Sequence, residues 1–514
     1  MTRADEQPRL LHEVLDAAAE QFPQRIALTD QNGSLTYGEL ATASVRAATA
    51  LAGRGVRRGD RVVVTAADGL GIAAALYGLS RLGAAFSVLH EQVRGGPLEH
   101  VLLDSEPVLL VTDDSSAEAT AQRVGMASLS LTELLTVQAG AGPLPHPGTL
   151  AVDPACLIYT SGTTSLPKAV VSTHQQMLFA ASAIQDRLDY RSDDIVYCPL
   201  PLSFDYGLYQ LFLAVLSGAQ LRLATAAEAG PPLLRSLESS GATILAGVPS
   251  VSDRLAWLLA RSSRGSGRLA GLRLLTNTGA ALPAETMSAL RSALPGLRIQ
   301  VMYGLTECKR AAIMPPDGDL ERPGSSGRPL PGTEIYVAGD DGERLPPSEI
   351  GQFVVRGPHV MTGYWRRPEL TAERFPRAEG LFPELRTGDY GWMDEDSYLY
   401  FSGRRDDLYK ERGFRVSCTE VEAAARRIEQ VSAAAVLPPD SGRPALLAVV
   451  TELATDELLE RMREQIEPFK IPRRCVRLNE LPVNGNGKVD RKQLASLVEA
   501  DVPVRPDRQT AQPH

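Results

Sequence analysis

Short apolar runs alternate with helix-length amphipathic segments from the start of the chain to about Gly332. Four of these runs are apolar at most positions: DRVVVTA at 60–66, PVLLVTD at 107–113, ACLIYTS at 155–161 and ATILAGV at 242–248. Such runs are typical of parallel strands that helices cover on both faces, because neither face then needs polar side chains. The alternation therefore predicts an α/β fold with doubly wound sheets.

The sequence after Gly332 predicts two further parts. Short strand-like segments with glycine and proline turns, such as GTEIYVAG, GQFVVRG and YLYFSG, predict a β-rich subdomain. From Gly403 the chain is charged and then shows one helix and two strand patterns, which suffices for a small α+β domain. We expect an N-terminal domain over residues 1–402 and a C-terminal domain over 403–514, with a disordered tail at 503–514.

Size, charge and cysteine usage exclude several classes of protein. A chain of 514 residues with 44% hydrophobic residues can bury a large core and is too long for a single one. The formal net charge of −9 disfavours a nucleic-acid partner, since nucleic-acid-binding proteins usually present a basic face. The five cysteines have no CxxC or paired histidine spacing, which is typical of a reducing compartment and disfavours a zinc site.

No segment of the sequence predicts secretion or insertion into a membrane. The N-terminus lacks the apolar core of a signal peptide, and the most apolar stretch, Gly71 to Leu89, is interrupted by Arg81. We therefore expect a cytoplasmic protein without a membrane partner.

The segment YTSGTTSLPKAV at 159–170 combines small, hydroxylated and cationic residues after an apolar strand pattern. Small residues let backbone N–H groups surround an anion, hydroxyls add donors and Lys168 adds a charge, so the segment predicts a polyphosphate site. It is not a Walker loop, because Gly162 is followed by neither the second glycine nor the lysine-serine/threonine pair of that motif. Taken alone, the segment is explained equally well as an ordinary loop between strands.

The same segment closely resembles the phosphate-binding motif Y-T-S-G-T-T-G-x-P-K-G of the adenylate-forming superfamily, which includes acyl- and aryl-CoA synthetases, adenylation domains of nonribosomal peptide synthesis and firefly luciferase. Further motifs follow in that superfamily's order: MYGLTE at 302–307, RTGDYG at 386–391, GRRDDLYKERGFRVSCTEVE at 403–422, LPVNGNGKVDR at 481–491 and, more weakly, LTYGEL at 35–40. Because they span nearly the whole chain, the chain is identified as a member. The resemblance implies a large N-terminal domain and a small, mobile C-terminal one.

The resemblance also implies that the chain binds ATP with Mg²⁺. The residues implied to hold the β- and γ-phosphates are Thr160, Ser161, Gly162, Thr163, Thr164 and Lys168, of which Thr163 and Lys168 also take part in catalysis. Ser165 and Ala169 stand where the superfamily usually has glycine. A Cβ at these positions restricts positive φ and is expected to stiffen or redirect the loop.

The other implied nucleotide contacts lie in the later motifs. Tyr303 is implied to face the adenine, Thr306 to contact the α-phosphate and Glu307 to bind Mg²⁺. Asp389 resembles the carboxylate that accepts both ribose hydroxyls, and Arg404 resembles a second nucleotide contact. Without the motif around it, Glu307 would be read as a solvated acid in a turn.

Two residues of the C-terminal domain complete the implied machinery. Asp406 matches the hinge position, and Lys488 matches the lysine that enters the site from the small domain, although a single lysine is more often only exposed. A carboxylate is already ionised at neutral pH, so its attack on the α-phosphorus needs no general base and gains most from positioning and nearby cations. The implied product is an acyl-adenylate, which a thiol then attacks after the small domain turns.

The acid substrate is specified less clearly. Phe204 and Asp205 match the pair that amino-acid-activating members use, in which the aspartate binds the substrate ammonium. The remaining candidate pocket residues are Tyr206, Gly247, Thr278 and Gly279. Alternatively, Asp205 caps a helix over residues 206–216 and has no substrate role.

The acceptor also remains open. GFRVSCTEVE departs from the amino-acid pattern towards that of acyl-CoA synthetases, and the segment TECKRAA fits no subgroup. We expect activation of an amino acid for a separate carrier protein carrying phosphopantetheine, by a free-standing monomer or homodimer. The alternatives are an acyl- or aryl-CoA ligase that uses coenzyme A, transfer to an amine, and a nucleotide-binding protein that has lost catalysis.

Overall fold

The computed structural model describes residues 8–67, 69–136, 147–160, 167–261, 269–377, 383–404, 408–411, 414–440, 444–463, 465–466, 470–484 and 489–500. The chain divides into two compact units: Met1–Thr387 with Met393–Tyr400, and Gly388–Trp392 with Phe401–His514. The predicted boundary between residues 402 and 403 stays a prediction, and the predicted disordered tail lies outside the described residues.

Strands and helices alternate through most of the chain, as the sequence predicts. The strands are β1 Ile26–Asp30, β2 Gly33–Thr36, β3 Arg61–Thr65, β4 Ala85–Leu89, β5 Leu109–Thr112, β6 Ser128–Leu129, β7 Pro154–Thr160, β8 Lys168–Thr173, β9 Ile195–Cys198, β10 Gln220–Leu223, β11 Ile244–Gly247, β12 Leu274–Asn277, β13 Arg298–Tyr303, β14 Ala312–Ile313, β15 Arg328–Pro329, β16 Glu334–Ala338, β17 Gly351–Arg356, β18 Gly363–Tyr364, β19 Leu385–Met393, β20 Leu399–Arg404, β21 Leu408–Glu411, β22 Phe414–Ser417, β23 Val431–Leu437, β24 Leu446–Thr451 and β25 Arg474–Arg477. The helices are α1 Leu11–Gln21, α2 Tyr37–Gly53, α3 Gly69–Leu82, α4 Gly95–Ser105, α5 Ser115–Arg123, α6 Leu131–Thr136, α7 His174–Leu188, α8 Asp205–Ser217, α9 Leu233–Ser240, α10 Pro249–Arg261, α11 Ala284–Ala293, α12 Pro368–Arg374, α13 Cys418–Arg426, α14 Thr455–Met462 and α15 Arg491–Ala500.

Two large sheets form the N-terminal unit. The first has the order β15-β14-β13-β12-β11-β9-β10-β1-β2, and its strands from β13 to β1 run parallel. The second has the order β18-β8-β7-β4-β3-β5-β6, in which β7, β4, β3, β5 and β6 are parallel, whereas β8 pairs antiparallel with both β7 and β18. The predicted doubly wound α/β fold is confirmed.

Amphipathic helices bury their apolar stripes between these strands. In α1, the buried residues are Leu11, Val14, Leu15 and Ala18, which recur at helical spacing and so lie on one face. The start of α2 is fixed by Thr36, whose hydroxyl accepts from Glu39 N–H, while the Glu39 side chain accepts from Thr36 N–H. Residues of both sheets and of α1, α2, α3, α7 and α8 share one continuous core.

The β-rich part expected after Gly332 is a four-stranded sheet in the order β16-β17-β19-β20. β16 and β17 pair antiparallel over five residue pairs, from Glu334 with Arg356 to Ala338 with Gln352. The predicted segments GTEIYVAG, GQFVVRG and YLYFSG correspond to β16, β17 and β20.

The C-terminal unit contains a three-stranded sheet in the order β23-β24-β25 with apolar clusters on both faces. Successive strand side chains point to opposite faces, so Val436 and Leu447 join the cluster of α13 and α14. Leu437 and Leu446 join the cluster of α15 instead. A small α+β unit with its own core matches the predicted fold class.

None of the described helices is long and apolar enough to cross a membrane. The five cysteines are free, and all but Cys475 are buried. Within the described ranges there is no group of three or more histidine, cysteine and acidic side chains that could hold a metal ion.

Candidate active site

Several residues predicted for the substrate lie at the carboxyl ends of parallel strands in the nine-stranded sheet. Gly247 ends β11 and pairs with Asn277, which ends β12, and Asn277 pairs in turn with Val301 of β13. Thr278 and Gly279 directly follow β12. Because parallel strands end at one edge of their sheet, these residues lie together at the edge where open α/β sheets bind ligands.

Two buried oxygens at this edge lack a partner. A Cβ added to Gly247 would lie 3.2 Å from the Ser252 hydroxyl oxygen, so the glycine leaves room beside that hydroxyl. Ser252 Oγ and Asn277 Oδ1 are buried and have no hydrogen bond within the described part of the chain. Buried polar atoms are normally hydrogen-bonded. These oxygens are therefore available to a ligand.

Asp205 lies at the start of α8, and the prediction that it caps a helix over 206–216 is wrong. The helix begins at Asp205 itself, Phe204 occupies the N-cap position, and no side chain caps this end. The cause is the preceding turn, in which Phe204 N–H donates to Pro201 O at 3.0 Å and so places Phe204 at the boundary. The Asp205 carboxylate instead lies 3.6 Å from the Arg310 guanidinium, with both side chains about one-twentieth exposed.

The connection between β13 and β14 is an eight-residue turn, residues 304–311, with closely held ends. Its ends are joined by the pairing of Tyr303 with Ala312 and by a 2.9 Å hydrogen bond from Ala311 N–H to Tyr303 O. A Cβ on Gly304 would lie 2.2 Å from the carbonyl oxygen of Lys309, so only glycine fits there. Lys309 has a φ of +64°, which is uncommon for residues other than glycine. These two backbone features fix the shape of the turn.

Two adjacent cations of this turn are buried. Lys309 is 1% exposed and Arg310 is 4% exposed. The Lys309 ammonium donates to the carbonyl oxygen of Thr306 at 2.9 Å, and the Arg310 guanidinium lies 4.6 Å from the centroid of the Tyr206 ring. Burial lowers the pKa of Lys309, and nearby acidic groups including Asp205 offset this only in part. Buried cations are costly unless they are paired, so the cluster favours an anionic ligand.

Tyr206 connects the start of α8 to the sheet edge. Its hydroxyl donates to the carbonyl oxygen of Thr276 at 2.9 Å and lies 2.6 Å from the Thr276 hydroxyl oxygen. Burial raises the pKa of Tyr206, so the phenol stays neutral. Because the ring contacts Arg310 on one side and β12 through its hydroxyl, Tyr206 fixes the guanidinium relative to the sheet.

A second group of predicted residues meets at Tyr364. The Lys168 ammonium lies 4.1 Å from the centroid of the Tyr364 ring, and the Tyr364 hydroxyl donates to Glu307 Oε1 at 2.7 Å. Lys168 begins β8, which pairs with β18, the strand that carries Tyr364. Partial burial lowers the pKa of Lys168, while nearby Glu307 raises it. One aromatic residue thus contacts both the predicted phosphate-binding lysine and the predicted metal ligand.

The remaining predicted nucleotide contacts lie on strands or beyond the described residues. Tyr303 ends β13 and is nearly buried, and Thr160 ends β7. Asp389 is buried on β19, and Arg404 is the last residue of β20. The predicted residues that lie outside the described ranges are Ser161, Gly162, Thr163, Thr164, Asp406 and Lys488.

Lys309, Arg310 and Tyr364 were not assigned a role from the sequence. The adjacent basic pair that follows Glu307 and Cys308 is a signal, since two successive cations beside a buried strand require an anion or solvent. Nothing in the sequence around Tyr364 indicates its contact with Glu307, because the two residues are 57 positions apart.

Comparison with known families identifies this arrangement. A model described as AMP-binding enzyme matches residues 15–365, and one described as AMP-binding enzyme C-terminal domain matches residues 420–488. The chain belongs to the AMP-binding enzyme family. The predicted membership of the adenylate-forming superfamily is confirmed, and the protein is an AMP-forming ligase.

Curated relatives of this AMP-binding enzyme include both a coenzyme A ligase and a peptide synthase. Feruloyl-CoA synthase of Amycolatopsis sp is 31% identical over 485 residues, which cover 92% of this chain and 95% of the relative. Dimodular nonribosomal peptide synthase of Bacillus subtilis strain 168 is 28% identical over 501 residues, which cover 94% of this chain and 21% of that longer protein.

Solved structures give the same family. VinN in complex with L-aspartate is 41% identical, with a TM-score of 0.69, over 77% of this chain and 98% of VinN. O-succinylbenzoate coenzyme A synthetase (MenE) of Bacillus subtilis, in complex with ATP and magnesium ion, is 28% identical, with a TM-score of 0.83, over 94% of this chain and 99% of MenE.

Proposed function

We propose that this AMP-binding enzyme activates a dicarboxylic amino acid with ATP and passes the aminoacyl group to the thiol of a separate carrier protein. The observation that carries the proposal is the buried cluster of Asp205, Lys309 and Arg310. The amino-acid preference predicted from Asp205 thereby extends to a second carboxylate on the substrate.

The charges of the cluster support this substrate class. Asp205, Lys309 and Arg310 are 5%, 1% and 4% exposed, and together they carry one negative and two positive charges. An unbalanced buried cation is unfavourable, so a substrate that adds one negative charge completes the site. A dicarboxylic amino acid does so, because its ammonium binds Asp205 and one carboxylate binds the two cations. Its other carboxylate is free to be adenylated.

The likeness to VinN supports the same class independently of the charges. VinN has been solved with L-aspartate, a dicarboxylic amino acid, and is 41% identical to this chain over 77% of its length. Ser252 Oγ and Asn277 Oδ1, two buried oxygens that have no hydrogen bond to any described residue, supply further polar groups at the sheet edge.

The residues around Glu307 fit a magnesium ion bound with ATP. Tyr364 donates to Oε1 of Glu307, and Oε2 has no hydrogen bond to a described residue, so one carboxylate oxygen is available to the metal. A hard cation of this type prefers such oxygen ligands and keeps several waters and phosphate oxygens. When bound, Mg²⁺ would neutralise part of the charge of the triphosphate.

The proposed reaction follows from these positions. The substrate ammonium binds Asp205 and so positions the free carboxylate of the substrate. This carboxylate attacks the α-phosphorus, and pyrophosphate leaves in line. Lys168, at the start of β8, attracts the phosphate oxygens. The residues proposed to surround these oxygens are Thr160, Ser161, Gly162, Thr163 and Thr164. The nucleoside monophosphate is proposed to bind to Thr306, Tyr303, Asp389 and Arg404. Lys488 is proposed to approach from the C-terminal domain, which turns at Asp406 before the thiol attacks.

A coenzyme A ligase is the second candidate, because feruloyl-CoA synthase is 31% identical over 92% of this chain. In both cases ATP and the acceptor are intracellular molecules, which supports the predicted cytoplasmic location. The two candidates differ in substrate and acceptor and share the first half-reaction.

Pyrophosphate exchange across a panel of acids tests the proposal. Aspartate or a related dicarboxylic amino acid should support exchange, and alanine, benzoate and ferulate should support much less. Asp205→Asn should abolish exchange with amino acids, because it removes the charge that binds the ammonium. Arg310→Met should shift preference away from dicarboxylic substrates.

A matched control is Arg273→Met. Arg273 also pairs with a buried carboxylate, that of Asp194, at the opposite end of the same strands. Its loss should lower stability without changing which acid is preferred. Exchange with ferulate and none with any amino acid would favour the coenzyme A ligase. No exchange with any acid, despite ATP binding, would indicate a nucleotide-binding protein that has lost catalysis.

A further inference from the structure

Helix α4, residues Gly95–Ser105, contacts both ends of the hairpin between β7 and β8. Near the first end, the Tyr159 hydroxyl donates to Asp104 Oδ2 at 2.9 Å. At the second end, His100 Nε2 lies 2.8 Å from the carbonyl oxygen of Pro167. Because a carbonyl oxygen only accepts, this imidazole nitrogen is the donor. His100 and Asp104 are four residues apart, so they lie on one face of the helix.

The hairpin ends are the described parts of the segment proposed to bind the triphosphate. Thr160 pairs with Lys168 and Tyr159 pairs with Ala169 across the two strands. Residues 161–166, which connect them, lie outside the described residues. The two hydrogen bonds from α4 therefore hold the backbone of Pro167, which directly follows that connection, and the side chain of Tyr159, which lies just before Thr160.

Asp104 also joins α4 to the residues that directly follow β18, the strand that carries Tyr364. Its Oδ1 accepts from Arg367 at 2.6 Å, and its carbonyl oxygen accepts from Trp365 Nε1 at 3.0 Å. The carboxylate is 7% exposed, so both of its oxygens are occupied in a protected environment. Asp104 therefore links α4 both to the hairpin, through Tyr159, and to Trp365. Trp365 is the direct neighbour of Tyr364, which contacts Lys168 and Glu307.

We propose that His100 and Asp104 of α4 are positioning residues for ATP, because they fix both ends of the β7–β8 hairpin relative to the β18 segment. They touch no reacting atom in this arrangement. Lys168 lies at one end of the hairpin, and Glu307 is hydrogen-bonded to Tyr364 of β18. His100 and Asp104 therefore set the distance between Lys168 and Glu307. This inference rests on the proposed ATP site and adds two residues to it that lie outside all the motifs of the sequence.

Direct binding of MgATP, measured by calorimetry without any acid, tests the inference. His100→Ala removes one hydrogen bond, and Tyr159→Phe removes the bond to Asp104 together with a long one, of 3.5 Å, to the Val101 carbonyl oxygen. Each variant should weaken MgATP binding about threefold to tenfold, the range for one such bond. His100→Gln keeps an N–H donor and should restore most of the affinity. Asp104 is left intact, because its loss would leave Arg367 unpaired and endanger folding.

Leu103→Ala is the matched control, since Leu103 lies on the same helix and is 58% exposed. It should leave MgATP binding unchanged. In pyrophosphate exchange, His100→Ala should raise the KM for ATP and leave the KM for the acid within about twofold, a split that a general loss of stability would not produce.

Three results would overturn the inference. Equal MgATP affinity in the wild type, His100→Ala and Tyr159→Phe would show that the hairpin ends need no support. Equal losses for ATP and acid, with no rescue by His100→Gln, would reduce α4 to a structural role. A wild type that does not bind MgATP would refute both this inference and the proposed function. A wild type that binds MgATP but exchanges no pyrophosphate would refute only the proposed function, because the variants can still be ranked by binding.

Discussion

Replacing Tyr364 by phenylalanine removes one hydroxyl and leaves the ring in place. The hydroxyl donates to Glu307 Oε1 at 2.7 Å, whereas the ring contacts the Lys168 ammonium at 4.1 Å and packs edge-on against Phe375 at 5.8 Å. The variant therefore separates two contacts of a single side chain. We expect it to weaken Mg²⁺ binding and to leave the contact with Lys168 intact.

The size of the effect follows from the type of bond. A hydrogen bond to a charged group contributes about 1.5–3 kcal/mol, and a carboxylate that also accepts from water lies at the lower end. About 1.4 kcal/mol corresponds to a tenfold change in affinity. Loss of a group that orients a metal ligand typically costs about 10–100-fold in metal affinity or activity. We therefore expect the Mg²⁺ concentration for half-maximal exchange to rise about tenfold.

The assay is pyrophosphate exchange at saturating ATP and acid with Mg²⁺ as the variable, together with calorimetric titration of MgATP. Tyr364→Leu is the comparison, because it also removes the ring from Lys168. Loss of a cation–π contact costs about 0.5–2 kcal/mol, so Tyr364→Leu should raise the KM for ATP further than Tyr364→Phe does.

An unchanged Mg²⁺ requirement in Tyr364→Phe would refute the role given to this hydrogen bond. A rise in the KM for the acid alone would place Tyr364 at the substrate instead. If Tyr364→Phe and Tyr364→Leu behaved alike in the KM for ATP, the ring contact with Lys168 would have no part in nucleotide binding.

Three further predictions concern other parts of the molecule. Lys488→Ala should abolish adenylate formation while thioester formation from supplied acyl-AMP persists, and equal loss of both half-reactions would contradict the assigned role. Gly304→Ala should prevent the turn from closing, because its Cβ would lie 2.2 Å from the Lys309 carbonyl oxygen, and circular dichroism with exchange assays should show a folded but inactive or a poorly folded protein. Burial lowers the pKa of Lys309. At a pH below this lowered pKa the side chain is already a charged ammonium. At a pH above it the side chain is a neutral amine, which must take up a proton when a substrate carboxylate binds. The affinity for aspartate should thus fall as the pH rises, and in Lys309→Arg, whose cation does not titrate, calorimetry should show a flatter dependence.

Local patterns predicted the framework correctly because the forces involved are local. The apolar stripe of α1 places Leu11, Val14, Leu15 and Ala18 in the core, as their helical spacing indicates, and the apolar runs at β3, β5 and β11 are strands that are buried except at Arg61. The start of α8 was missed by one residue, since the turn at Pro201 determines it and not the capping preference of Asp205.

The side-chain clusters of the site depend on contacts between distant residues, and their partners could not be read from sequence. Asp104 meets Tyr159 and Arg367, which are 55 and 263 positions away. The burial of Lys309 depends on the approach of Gly304 within a single turn, and a basic pair in sequence is more often solvated. Motif resemblance located the predicted ligands, whereas the neighbours that orient them required the fold.

The two sequence features that disagree about the substrate belong to different units of the protein. Asp205, Lys309 and Arg310 lie in the N-terminal unit, whereas the segment GFRVSCTEVE at 413–422 lies in the C-terminal unit. Adenylation requires recognition of the acid, and transfer requires recognition of the thiol carrier, so the two features concern different half-reactions. An amino-acid type of acid site can therefore coexist with a transfer segment of coenzyme A ligase type. The combination predicts that Asp205→Asn impairs only the adenylation of amino acids, and that substitutions in 413–422 change only the rate of thioester formation.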